Sequence, residues 1–297
     1  REAGNRQDVI GTIAGGGDPL AAIAPLLATA DFRIGNMECP LATGGQPHPT
    51  KIATFRAAAQ TVAVLSGRFD AMSVANNHSG DYGQEAFLET LQHLDQNGIA
   101  TFGGGRNLSE AHRPLWIERN GLRIAILGYN EFKPRSFEAG ADWPGIAWSE
   151  DEQVIADLRA ARAAGADIVI PYLHWGWEKE TQPTERQRSF ARKLIDAGAS
   201  AVVGGHPHVT QGAEIYRGRP IVYSLGNLVF DGFDYPEAQR GWLLHLTLDK
   251  QGVVAWETLA VNIDDVGTPW PVPGAFTPCG QRGAEALAEC ANPAVKY

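Results

Sequence analysis

The sequence predicts an α/β domain, with either one mixed sheet or two sheets packed together and helices outside. Three observations predict it. Up to about residue 210, apolar strand-like runs alternate with helical segments. From about residue 213 the pattern changes to paired strand-like runs joined by Gly-containing turns. The composition is that of an ordinary globular chain, 44% hydrophobic and 20% charged over 297 residues, long enough to bury a large core.

The elements follow in order. "DPLAAIAPLLATA" (18–30) reads as a helix with Asp18 as N-cap and Pro19 at its first position. "DFRIGN" (31–36) and "FDAMSVAN" (69–76) read as strands. In 83–98, Phe87, Leu91 and Leu94 recur at helical spacing and Gly98 is the stop. The run 114–130 is a hairpin, because Asn120-Gly121 separates two apolar stretches. Helices are predicted over 149–165 and 184–198, each opened by a capping box, Ser149 with Glu152 and Thr184 with Gln187. Strands are predicted at 166–174 and 200–205. Two hairpins then run from 213 to about 261. The Pro/Gly-rich stretch 267–281 is expected to run irregularly over the surface. Residues 1–265 are expected to form one domain, with 266–297 an extension packed on it.

The net charge of −9 argues against nucleic acid as the main partner. It would also repel an anionic polymer, so such a substrate needs a local cationic site. No apolar run approaches the roughly 18–20 residues of a membrane span. The chain opens at Arg1 without Met, so the lack of a leader says nothing about compartment. Cys279 and Cys290 would pair in an exported protein.

Metal-compatible residues collect behind four predicted strands. Asn36 and Glu38 follow the first, and Asn76, Asn77, His78 and Asp81 the second. His174 follows the third, and His206 and His208 the fourth. In open α/β sheets, sites form beyond the carboxyl ends of the strands. Taken singly, each residue has an ordinary reading as a turn or a solvated side chain. Jointly, Glu38, Asn77, His174, His206 and His208 form a mixed oxygen and nitrogen set suited to Zn²⁺, Mn²⁺ or Fe²⁺. His48, His93, His112 and His245 lack this context, with His93 on a helix surface and His245 in a strand.

The motifs "GNMECPLA", "ANNHSGDYGQEAFLETLQHLDQNGIATFGGG", "YLHWGWE" and "GGHPHVTQGAEIYRGRPIVYSLGNLVFD" occur in this order. Together they resemble the CapA-type poly-γ-glutamate capsule-synthesis family, itself similar to the calcineurin-like metallophosphatases. The resemblance runs from about Asp18 to about Leu259 and implies a four-layer αββα sandwich with mixed sheets. It implies one or two divalent ions, Mn, Zn or Fe. Glu38 would bridge them, Asn77 and His174 would bind one, and His206 and His208 would serve one each. It casts His78 as the residue that assists substrate or leaving group, and Asp81 could orient it. Asn36, Glu178, Asn227 and Arg240 are its candidates for substrate contact. Trp175 and Trp177 would either wall the substrate or pack inside. One departure stands out: no Gly-Asp stands at a strand end near residue 1, and Gly17-Asp18 reads as a helix cap. Either that first strand lies outside this chain, or the metal position held by Glu38 and His208 lacks its first-strand carboxylate, for which Asp8 could substitute.

The function so implied is biosynthesis or processing of poly-γ-glutamate or a related capsular polymer. The chemistry would be that of a metal-dependent hydrolase or transferase acting on a phosphoester, acyl phosphate or γ-amide. The implied partners are a γ-glutamyl polymer and cell-envelope synthase components, at the cell envelope or outside it. Two alternatives remain open: a non-catalytic polymer-assembly component with a degenerate site, and a metallophosphoesterase with a small substrate.

Overall fold

The computed structural model describes residues 8–133, 135–232, 235–273 and 277–284, together with Cys290. The first element, α1 (Val9–Ala14), is capped by Asp8, whose carboxylate accepts from the Gly11 N–H at 2.6 Å. The 18–30 stretch is mostly turns, with only α2 (Ala24–Leu27) helical. Pro25 explains the difference from the predicted helix. It has no N–H to give the carbonyl of residue 21, so a helix begun at residue 19 cannot propagate. Asp18 instead accepts from the Leu20 N–H and pairs with Arg68.

The first sheet is wholly parallel. Its strands are β1 (Ile34–Asn36), β2 (Ala71–Ser73) and β3 (Ala100–Phe102), with α3 (Val62–Leu65) and α4 (Gly83–Gln96) in the crossovers. Asn36 pairs with Ser73, which brings the segments after β1 and β2 side by side. A short ribbon of β4 (Gly104–Gly105) and β7 (Gly145–Ile146) flanks α5 (Leu108–Ala111).

The second sheet holds β5 (Leu115–Arg119), β6 (Leu122–Asn130), β8 (Ile168–His174), β9 (Val202–Gly205), β10 (Ala213–Tyr216) and β11 (Arg219–Val222), in the order β10-β11-β9-β8-β6-β5. Asn120 and Gly121 turn the β5–β6 hairpin at φ +49° and +76°, as a two-residue primed turn requires. The crossover helices are α6 (Asp151–Ala163) and α7 (Glu185–Asp196). Thr184 and Gln187 form the predicted capping box. Ser149 does not cap α6. Its N–H donates to Asn130 O in an extension of strand pairing, so the N-cap falls on Glu150.

A third sheet contains β12 (Arg240–Asp249), β13 (Gly252–Ile263), β14 (Pro269–Pro271) and β15 (Thr277–Gln281). Both β14 and β15 pair antiparallel with β13, so 269–271 and 277–281 are sheet strands and not an irregular surface run. Its prolines are tolerated because the strands lie at an edge. Cys279 and Cys290 are joined in a disulfide and both are buried.

The buried side chains define the layers. Alternate residues of β6 face opposite ways: Ala125, Leu127 and Tyr129 pack with Leu158 of α6 and Phe190 and Leu194 of α7. Ile124 and Ile126 pack instead with Ala71, Phe102, Trp242 and Trp256, from the first and third sheets. Behind those two sheets, Met72, Val74 and Val261 meet Ile23, Val62, Phe87 and Leu94 from the outer helices and the turn before α2. The order is helix, sheet, sheet, helix, the αββα arrangement expected. Burial on both faces explains the unbroken apolar run of β6 and β8. Among the described residues, no helix is long and apolar enough to cross a membrane.

Candidate metal centre

Two parallel registers build the site. In the first sheet the chain leaves β1 and β2 side by side, carrying Glu38 and Asn77. In the second, His174 at the end of β8 pairs with Gly205, directly before His206 and His208. The carboxyl ends of both sheets meet, as the strand-end pattern predicts.

His174 Nε2 lies 2.7 Å from Asn77 Oδ1, 3.1 Å from His206 Nδ1 and 3.4 Å from Glu38 Oε1. Glu38 Oε1 is also 3.6 Å from His208 Nε2. Glu38, His174 and His206 offer ligand atoms that all lie within 4.8 Å of one another, and so do Glu178, His206 and His208. Glu38 Oε1, His206 Nε2 and His174 Nδ1 are buried with no hydrogen-bond partner among the described residues. Buried polar atoms left unpaired are costly. A divalent cation would satisfy those that face the cluster, and the mixed carboxylate, amide and imidazole set suits the metals named above.

Electrostatics favour the same reading. Burial lowers the pKa of His174, and burial together with the neighbouring His174 takes His206 down to about 2, so both rings present lone pairs. Burial works against the charge on Glu38. The imidazoles of His174 and His208 outweigh it and hold the carboxyl well below its usual range. Burial pushes the adjacent Cys39 thiol up to about 12, so no thiolate competes there.

The histidine loop is held under strain. His206 has φ +97° and His208 +60°, conformations that L-residues seldom adopt. The Lys179 N–H donates to Pro207 O at 2.8 Å, tying the turn after β8 to this loop. Gly204 is required by close approach: a Cβ there would meet Tyr223 O at 2.2 Å and Trp175 Nε1 at 2.3 Å.

Around the ligands lies a ring of orienting contacts. The Asn36 amide donates to Glu38 Oε2 at 2.9 Å and accepts from Asn76 at 3.1 Å. His208 Nδ1–H donates to Asn227 Oδ1 at 2.7 Å, while the Asn227 amide donates to the carbonyls of Ala238 and His208. Asn36 and Asn227 thus commit their side-chain amides to Glu38 and Asn76, and to His208 and Ala238. His78 Nδ1–H donates to Asp81 Oδ2 at 2.7 Å, since an ionised carboxylate can only accept. Asp8 is engaged as the cap of α1 and joins neither cluster. Arg240 opens β12 next to Gly241, which packs against the Asn227 backbone, and its side chain is exposed.

Trp175 is fully buried, and its indole N–H donates to Tyr223 O. Trp177 is 63% exposed and meets Phe132 edge to face; the Phe132 ring lies 3.9 Å from that of His206. Sequence reasoning missed Phe132 and Lys51. Phe132 comes two residues after β6, a strand-end position that carries no titratable group. Lys51, in a loop without regular structure, donates to Asp81 and to the Asn77 carbonyl. His93, His112 and His245, set aside above, pair with Glu89, Asp157 and Glu257 and belong to neither candidate ligand group.

The PGA biosynthesis protein CapA of Bacillus subtilis is 33% identical over 253 residues, covering 84% of this chain and 66% of that protein. The capsule biosynthesis protein CapA of Bacillus anthracis is 30% identical over 265 residues, covering 86% and 63%. The chain thus spans a little under two thirds of the length of these relatives. A solved phosphatase structure from Mycoplasma pneumoniae is 16% identical, with a TM-score of 0.49 over 89% of this chain and 88% of that one. Residues 3–232 match the bacterial capsule synthesis protein PGA_cap family, and the chain belongs to that family.

Proposed function

We propose that this chain acts in the synthesis or processing of poly-γ-glutamate or a related capsular polymer. The chemistry would be metal-dependent, at a phosphoester, acyl phosphate or γ-amide. One observation carries the reading: Glu38, Asn77, His174 and His206 converge, and Glu38 Oε1 and His206 Nε2 are buried with no hydrogen-bond partner among the described residues.

Glu38, Asn77, His174, His206 and His208 would hold one or two divalent ions, Mn, Zn or Fe. A bound cation of this kind polarises a phosphoryl or carbonyl oxygen and lowers the pKa of a bound water. His78 engages Asp81 through Nδ1, so Nε2 is the atom that exchanges a proton with nucleophile or leaving group. Trp177 and Glu178 are exposed beside the histidine loop and form the approach for substrate. Arg240 supplies exposed positive charge for an anionic γ-glutamyl chain, against the overall charge of −9. The setting is the cell envelope, with synthase components as partners.

The test combines metal analysis with turnover of γ-glutamyl peptides and p-nitrophenyl phosphates by the wild type and His206→Ala. We expect bound metal and turnover in the wild type, and loss of both in the variant. Protein that stays metal-free in Mn²⁺, Zn²⁺ or Fe²⁺ and turns over nothing would remove the enzyme reading and leave the assembly role.

A further inference from the structure

We infer that Lys51 is a positioning residue that locks the His78–Asp81 pair, fixing which nitrogen His78 presents to the reacting group. The inference rests on the reading of His78 as the acid or base.

Asp81 is fully buried, and among the described residues its hydrogen bonds come from two places. One is His78, three residues earlier. The other is the loop 48–55. The Lys51 ammonium donates to Asp81 Oδ1, and the Phe55 N–H donates to Oδ2 at 2.7 Å. The His48 N–H donates to the Asp81 backbone carbonyl at 2.7 Å. The loop has no ladder or helix of its own, so it is shaped around this one carboxylate. Ile52 at its tip is fully exposed, while Lys51 beside it keeps only 15% of its side chain exposed. A lysine turned inward next to an isoleucine turned outward reverses the ordinary preference. Its compensation is the pair of acceptors it meets.

The second acceptor is the backbone carbonyl of Asn77. One ammonium therefore ties residue 77 to residue 81, on either side of His78. With Oδ1 occupied by Lys51, Oδ2 faces His78 Nδ1, and the Phe55 ring closes over the imidazole with centroids 4.6 Å apart. Remove the ammonium and the carboxylate keeps only the Phe55 N–H to fix it beside His78, so the imidazole's partner is held less firmly. The Nδ1–H tautomer and the direction of Nε2 depend on Lys51, which acts through Asp81 and the Asn77 carbonyl and not on the imidazole itself. Second contacts of this type typically change activity by about 10–100-fold.

The experiment uses the whole, metal-loaded chain with ¹⁵N-labelled histidine. The His78 Nδ1–H proton is identified by NMR through its loss in His78→Gln. It should be present in the wild type, lost or strongly shifted in Lys51→Met, and restored in Lys51→Arg. Turnover of bis-p-nitrophenyl phosphate should fall roughly 10–100-fold in Lys51→Met through kcat, with KM and metal per chain unchanged. Ethylammonium should restore part of the rate in Lys51→Ala, which a loop-anchoring role would not produce. A folded Lys51→Met that keeps the His78 signal overturns the inference. If that variant does not fold, an Nδ1–H signal in Lys51→Ala that is the same with and without ethylammonium overturns it equally. Wild-type protein without turnover removes the proposed reaction instead, and the NMR signal still decides the role of Lys51.

Discussion

His174 and His206 face each other nitrogen to nitrogen, with Nε2 of one 3.1 Å from Nδ1 of the other. Burial lowers the pKa of both rings, and at this distance only one of the two facing nitrogens can carry a proton. His206 also belongs to both candidate ligand groups, whereas His174 belongs to one and His208 to the other. His206→Ala should therefore lower the metal bound per chain more than either His174→Ala or His208→Ala. Elemental analysis of the three purified variants checks this; equal losses would show that the two groups do not share His206.

Asn227 fixes the ring of His208 through Oδ1 and is itself fixed by the Ala238 carbonyl. Asn227→Ala should weaken metal binding roughly 10–100-fold while leaving the fold intact. Calorimetric titration of the apo variant reads this directly. An unchanged affinity would return Asn227 to the role of substrate contact.

Gly204 has no room for a methyl group between Tyr223 O and the Trp175 indole. Its neighbours are strand backbone and a buried ring, neither of which can yield cheaply. Gly204→Ala should destabilise the protein by about 1–3 kcal/mol, measured as a lower urea midpoint with unchanged slope. A midpoint equal to wild type would mean that the β9–β11 pair opens easily.

Glu89 on α4 binds the segment leading into the Lys51 loop. Its carboxylate accepts from the Thr43 and Gly44 N–H groups, and these contacts pull its pKa down to about 2. A depressed carboxylate adds stability that is complete above its unfolded value, near 4.5. That stability is lost as the pH falls through the folded value. Between about pH 4.5 and pH 2, Tm should fall less steeply in Glu89→Gln than in the wild type. Parallel curves would show that the contacts to Thr43 and Gly44 add nothing.

The clustering of Glu38, Asn77, His174, His206 and His208 was legible because each stands at or just after the end of a strand, and strand ends are local features of the sequence. The helix Gly83–Gln96 and the Asn120-Gly121 hairpin were legible for the same reason, through spacing and turn chemistry. What escaped depends on contacts between distant segments. Lys51 is 26 residues from Asn77 and 30 from Asp81, and nothing in "HPTKIATF" marks an inward lysine. Asn36 and Asn227 sit at strand ends like the ligands, so position alone could not separate a group that orients from one that meets substrate. The helix predicted from Asp18 failed on a local signal that was present, Pro25. The strands at 269–271 and 277–281 were hidden because edge pairing to β13 overrides the prolines.

Glu38 and Asn77 leave the first sheet, while His174, His206 and His208 leave the second. A cation held by all five would therefore be a rivet between two layers that adhere largely through apolar side chains. Such packing resists separation more than sliding, whereas coordination resists both. The five residues also span positions 38 to 208, a loop that an unfolded chain closes only at a large entropic cost. Loading and folding then act on one equilibrium, and metal supply sets how firmly the two sheets are pinned against shear.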